Sequence, residues 1–141
     1  MKVFNIFFCV ALILVASTSA EEDDLGHTKC MAENNISDDE YNELWIEANS
    51  GSSDIDNRMK CYTHCILESS GHLDDNGKLD IAKMGQDREM TENDVEIAED
   101  CRDRFENVEE KCDYSYQVST CIAQAMSMKA LLGGESSNNL H

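Results

Sequence analysis

Apolar residues along this chain recur at helical spacing, and no stretch alternates long enough to make a strand. The pattern predicts an all-α fold of six helices. The first, over about residues 22–33, is acidic and carries Cys30; Asn34-Asn35-Ile36 breaks it. Ser37 with Glu40 three residues later forms a capping box and opens a second helix to about Asn49. In it Tyr41, Leu44, Trp45 and Ala48 share one stripe, while Ile46 faces away. Ser50 to Ser53 is a flexible loop. A third helix spans about Asp54 to Ser69. The turn-rich connector Gly71–Gly77 leads to a short fourth helix with Leu79, Ala82 and Met84 as its apolar members. Thr91 with Asp94 caps a fifth, about 92–109, with Ile97, Ala98, Cys101, Phe105 and Val108 facing inward. The last helix runs from about Tyr114 to Leu132. Tyr114, Val118, Cys121, Ala125, Met128 and Leu132 form its stripe, and Ile122 and Met126 widen it. Gly133-Gly134 is expected to end it.

The third helix is the element around which the others are arranged. Cys61 and Cys65 lie one turn apart on a shared face, with Met59, Tyr62 and Ile66 beside them. Lys60, Thr63 and His64 fall on the other side, which makes His64 a surface residue. A bond between cysteines one turn apart would strain the helix, so each is expected to reach a different partner.

Residues 1–20 read as a secretory signal peptide, leaving a single domain over 21–141. Lys2 gives the positive start, Phe7 to Ala16 is an unbroken apolar run, and Ser17, Thr18, Ser19 and Ala20 are small. The run is too short to cross a bilayer. Removing it discards Cys9 and leaves Cys30, Cys61, Cys65, Cys101, Cys112 and Cys121, an even set suited to a disulfide framework. Fifteen pairings are possible, and excluding Cys61–Cys65 leaves twelve. The whole chain carries a formal charge of −18 with 29 acidic residues. Loss of Lys2 takes the mature charge one step further, to −19. Nucleic acid and anionic membrane are poor partners for such a surface. Stable membrane insertion is not expected, and the charge opposes tight self-association.

Candidate chemistry is sparse. Asp74-Asp75-Asn76-Gly77 hints at a calcium loop, but alignment on Gly77 puts His72 at the first ligand and Lys83 at the last, so a turn is expected. Gly-x-Ser-x-Gly and His-Glu-x-x-His are absent. Cys61-Tyr62-Thr63-His64-Cys65 lacks the Asp after His64 that a secreted phospholipase would carry. No enzyme, metal or cofactor is expected.

The cysteine spacing is the most informative signal. Three residues separate Cys61 from Cys65, ten separate Cys101 from Cys112, and eight separate Cys112 from Cys121, with gaps of 30 and 35 around the central pair. Here the chain resembles the insect odorant-binding proteins of the six-cysteine type, marked by C-x3-C in the middle and C-x8-C at the end. The likeness covers the whole mature chain. It implies the pairing Cys30–Cys65, Cys61–Cys112 and Cys101–Cys121, and six helices around a hydrophobic pocket. It implies a secreted, extracellular carrier of small hydrophobic odorants or pheromones, with a chemosensory receptor as partner and a monomeric or weakly dimeric state. The stripe residues expected to line the pocket are Leu44, Trp45, Met59, Tyr62, Ile66, Leu73, Met84, Phe105, Val118, Ile122 and Met126. About half of them are expected to serve the core alone, since helical spacing reports burial and not ligand contact. Tyr41, Tyr62 and Tyr116 offer hydroxyls to an oxygenated ligand. The family's pH-dependent release points to His27, His64 and His72. Glu135 to His141 is too polar to fill a pocket, whereas Leu131 and Leu132 are placed to add to a wall. A saposin-like reading fits less well, because its cysteine pattern differs and its membrane contact conflicts with the charge. The same fold also serves as a non-olfactory carrier or protein-interaction factor in other secreted fluids.

Overall fold

The computed structural model describes residues 19–135, and six helices account for its architecture: α1 (Ser19–Glu33), α2 (Asp38–Asn49), α3 (Asn57–Ser69), α4 (Ile81–Asp87), α5 (Glu92–Arg104) and α6 (Lys111–Glu135). Among the described residues the only β pairing is one isolated antiparallel bridge, Leu73 to Leu79. The leader expected over residues 1–20 lies, but for Ser19 and Ala20, outside the described residues, as does the tail beyond Glu135.

Local chemistry sets the helix ends. Both sequence-predicted caps form, each as a capping box: Ser37 with Glu40 opens α2, and Thr91 with Asp94 opens α5. Each satisfies backbone donors that the first turn cannot. The Thr91 backbone amide, with Lys129 and the Thr91 hydroxyl adding to it, pulls the Asp94 carboxyl down to about 2. At the other ends, Asn35 (φ 54°) and Gly71 (φ 71°) turn left-handed. These turns let Ile36 N–H reach Met31 O at 3.0 Å and His72 N–H reach Leu67 O at 2.9 Å, closing α1 and α3.

Helices α3, α5 and α6 differ from expectation at their ends. Helix α3 starts at Asn57 rather than near Asp54, because the Asp56 carboxylate caps it by accepting from Arg58 N–H. Helix α5 ends at Arg104, not near residue 109. The chain turns there, and Lys78 Nζ donates to the Glu106 and Val108 carbonyls at 3.0 and 2.8 Å while sitting over the Tyr114 ring. Helix α6 begins at Lys111 and runs through Gly133-Gly134 to Glu135. Two glycines lower helical propensity but do not by themselves end a helix of this length.

Helix α3 packs against α1, α2 and, most extensively, α6; α5 also lies on α6, and α4 on α5. Two cores result. One joins α1, α2 and α3 through Cys30, Met31, Leu44, Met59 and Tyr62. The other joins α4, α5 and α6 through Leu79, Met84, Ala98, Tyr114 and Val118. Cys30–Cys65 staples the first and Cys101–Cys121 the second, while Cys61–Cys112 ties α3 to α6 between them. This is the pairing that the odorant-binding resemblance implies. In the chain-entropy account, loops of these lengths contribute about 3–4 kcal/mol each.

Because α3 is covered on two sides, the expectation for His64 fails. Its side chain is buried (7 % exposed), and Nδ1 shares a hydrogen bond of 2.9 Å with Ser115 Oγ, which is fully buried on α6. Burial, with Lys111 adding to it, pushes His64 below the ordinary histidine value, against the opposite pull of Glu68 and Glu110. Leu131 and Leu132 add nothing to a wall: both lie on the projecting end of α6, 74 % and 66 % exposed.

Candidate functional site

Two grooves flank helix α6. The larger, about 950 Å³, opens between the C-terminal end of α2, the Asn49–Ser52 loop, α3 and α6. Met59, only 1 % exposed, lies at its base. Trp45 stands on its α2 side and Met128 on its α6 side, 51 % and 63 % exposed. The smaller groove, about 710 Å³, lies between α5 and α6 over Ile97, Phe105 and the Cys101–Cys121 disulfide. Tyr116, Thr120, Gln124 and Met128, spaced one turn apart along α6, line both grooves.

Trp45 is held by its neighbours. Its ring stacks on Tyr41 (centroids 6.1 Å apart), and Tyr41 meets Tyr62 and His27 edge to face. His27 Nδ1 shares a 2.6 Å hydrogen bond with the Tyr62 hydroxyl, and burial drives the Tyr62 phenol well above its usual range. Tyr116 Oη donates to Ala48 O at 3.1 Å and so links α6 to the end of α2. Lys60 Nζ donates to Asp113 Oδ1 at 2.8 Å, a second tie between α3 and α6.

The two linings differ in charge. Among the described residues no Asp, Glu, Lys or Arg lines the larger groove, whereas Glu96, Asp100 and Arg104 line the smaller. Arg104 is paired with Asp100 at 2.7 Å.

Of the eleven sequence-predicted lining residues, Trp45 and Met59 border the larger groove and Phe105 the smaller. Leu44, Tyr62, Met84 and Val118 are buried in the two cores, with Ile66 and Ile122 packed against them. Leu73 is half-buried in the connector bridge, and Met126 is half-buried beside Arg88. The lining residues that sequence reasoning missed are mostly small or polar: Ala48, Ser119, Thr120, Ala123, Gln124 and Ser127. Their signal was faint, because the Tyr116–Met128 row mixes polar and apolar residues and runs beside a stronger apolar stripe. Among the described residues no group of His, Cys, Asp and Glu is placed to hold a metal ion.

Six helices, three disulfides and a groove with an apolar base define a small stapled binding protein. The model of the PBP/GOBP family matches residues 19–125, and the chain belongs to that family of odorant-binding proteins. It is 33 % identical over 138 residues to General odorant-binding protein 57c of Drosophila melanogaster, covering 94 % of this chain and 92 % of that protein. The family is one of binding proteins rather than enzymes, and no described helix is long and apolar enough to cross a membrane.

Proposed function

We propose that the chain is a secreted carrier that takes up a small hydrophobic odorant or pheromone, carries it through aqueous extracellular fluid and delivers it to a chemosensory receptor. Residues 1–20 direct export and are removed. The ligand lies in the groove between α2, α3 and α6, over Met59 and against Trp45, with Tyr116 beside it. One observation carries the reading: a space of about 950 Å³ with a buried methionine at its base and an exposed tryptophan at its side. That volume falls in the usual range of small-molecule sites, and an open mouth suits exchange. The methionines Met59 and Met128 adapt to varied shapes. The mature chain works as a monomer or weak dimer, since a charge near −19 opposes close self-association.

Trp45 is the only tryptophan in the chain and therefore reports on this groove alone. Titration of oxidised protein from residue 21 onward with a lipophilic fluorescent probe is expected to give saturable, displaceable micromolar binding and a change in Trp45 emission. Unsaturable binding, or none with all three disulfides intact, overturns the carrier reading. Transcript mapping then distinguishes an antennal role from service in another secreted fluid.

A further inference from the structure

Asn35-Ile36-Ser37 is an acceptor sequence for N-linked sugar, Asn-x-Ser with a middle residue other than proline. It occurs once in the chain. A three-residue match is common by chance, so its place in the fold decides. It falls in the tight turn between α1 and α2, where Asn35 is left-handed (φ 54°) and exposed. Ile36 is buried and anchors the turn in the first core. The neighbouring Asn34 has its side-chain amide committed to Cys30 O at 2.8 Å. Asn35 is engaged through its backbone instead. Its N–H donates to Ala32 O at 3.2 Å, and its carbonyl accepts from Arg58 Nη1 at 3.2 Å. Its side-chain amide has no hydrogen-bond partner among the described residues and is left to solvent. Ser37 is exposed too, but its hydroxyl donates to Glu40 Oε2 at 3.0 Å and accepts from Glu40 N–H at 3.3 Å. That hydroxyl is free for acceptor recognition only before the α2 cap closes.

We propose that Asn35 carries an N-linked glycan, added in the secretory lumen before this turn folds, and that the glycan leaves the groove open. The proposal rests on export of the chain by residues 1–20. The sugar donor is a lipid diphosphate-linked oligosaccharide. A bond forms between Asn35 Nδ2 and the anomeric carbon of the first sugar, and the bond from that carbon to the diphosphate oxygen breaks. The lipid diphosphate leaves with the electron pair, and the amide gives up one proton. The folded turn holds the sugar without rearrangement, because the substituted nitrogen has no protein partner. The groove opens at the far end of α2, twelve residues or about 18 Å of helix away.

The test is secretion of the full chain, residues 1–141, from cultured insect cells, with mass spectrometry before and after treatment with peptide N-glycosidase A. A glycan is expected on the peptide that holds Asn35, and its removal is expected to leave aspartate at that position. Asn35→Gly, at ease at positive φ, and Ser37→Asp, which keeps an N-cap, are each expected to abolish the glycan. Ser37→Thr is expected to keep it. Probe affinities of the glycosylated and the stripped protein are expected to agree within about twofold. Secreted protein with a bare Asn35 overturns the proposal and leaves export standing. A glycan that shifts probe affinity about tenfold overturns its placement away from the groove. A chain retained inside the cells sinks the export reading. Residues 21–141 behind a signal peptide of proven export then decide the site: a glycan on Asn35 upholds it, and a bare Asn35 overturns it.

Discussion

Helices α2 and α6 border the same groove but are held in opposite ways. Helix α6 carries Cys112 and Cys121, buries Tyr114, Ser115 and Val118, and packs along α3 and α5. Helix α2 carries no cysteine and buries only Leu44. It is held by aromatic contacts, by the Tyr116–Ala48 hydrogen bond, and by Arg58, which reaches Glu40 and the Asn35 carbonyl from α3. The disulfides therefore fix the frame, and the side of the groove that bears Trp45 hangs on weaker, reversible contacts. Binding proteins draw their mobile elements from the least stable parts of the fold.

The largest test of this contrast removes the bond between α3 and α6. Cys61→Ser with Cys112→Ser is expected to cost about 4 kcal/mol, read by denaturant unfolding. A smaller loss would show that the α3–α6 packing holds the frame unaided. Val118→Ala, wholly buried on α6, is expected to cost about 2 kcal/mol and to leave probe affinity within about twofold. Trp45→Ala, half-exposed on α2, is expected to do the reverse, weakening the probe about tenfold with little change in unfolding midpoint.

The α3–α6 contact also has a pH signature. His64 has its folded pKa lowered, chiefly by burial, so the unfolded chain binds its proton more readily. Stability from this residue is complete above the ordinary value of 6.5 and declines as pH falls from there toward the lowered folded value. His64→Gln is expected to flatten that part of the stability profile. The carboxylates of Glu40, Asp56 and Asp94, also lowered, act in a separate and more acidic window. A profile unchanged by the substitution would remove His64 from the account.

How far these features were legible in the sequence depends on how local they are. The capping pairs Ser37/Glu40 and Thr91/Asp94 act within one turn, so their spacing announced two helix starts. Cysteine pairing is not local. The residues alone left twelve partitions, and only the likeness in spacing chose one. His64 was misread because a helical wheel shows one apolar side, and α3 is covered on two. The groove lining was the least legible part. Apolar stripes such as Tyr114–Val118–Ile122 report what is buried, and burial fills cores; the space left between the cores is bordered by residues that packing did not need.

The smallest expected effects concern α2 itself. Arg58→Ala breaks exposed, solvent-screened ion pairs and is expected to leave the unfolding midpoint nearly unchanged. Amide hydrogen exchange in α2 is nonetheless expected to exceed that in α3 and in residues 111–122 of α6, and to rise further in this variant. Equal protection of α2 and α6 would contradict the picture of a loosely held wall on a bolted frame.

The three covalent spans overlap end to end: 30–65, 61–112 and 101–121. Any peptide bond between Cys30 and Cys121 lies inside at least one of them. A single cut by a protease anywhere in that range frees no fragment; the two pieces stay joined through sulfur. In a fluid that contains digestive enzymes, the oxidised molecule is a closed topological object. Its lifetime as one particle is then set by the second nick or by a reductant, and not by the first break in its backbone.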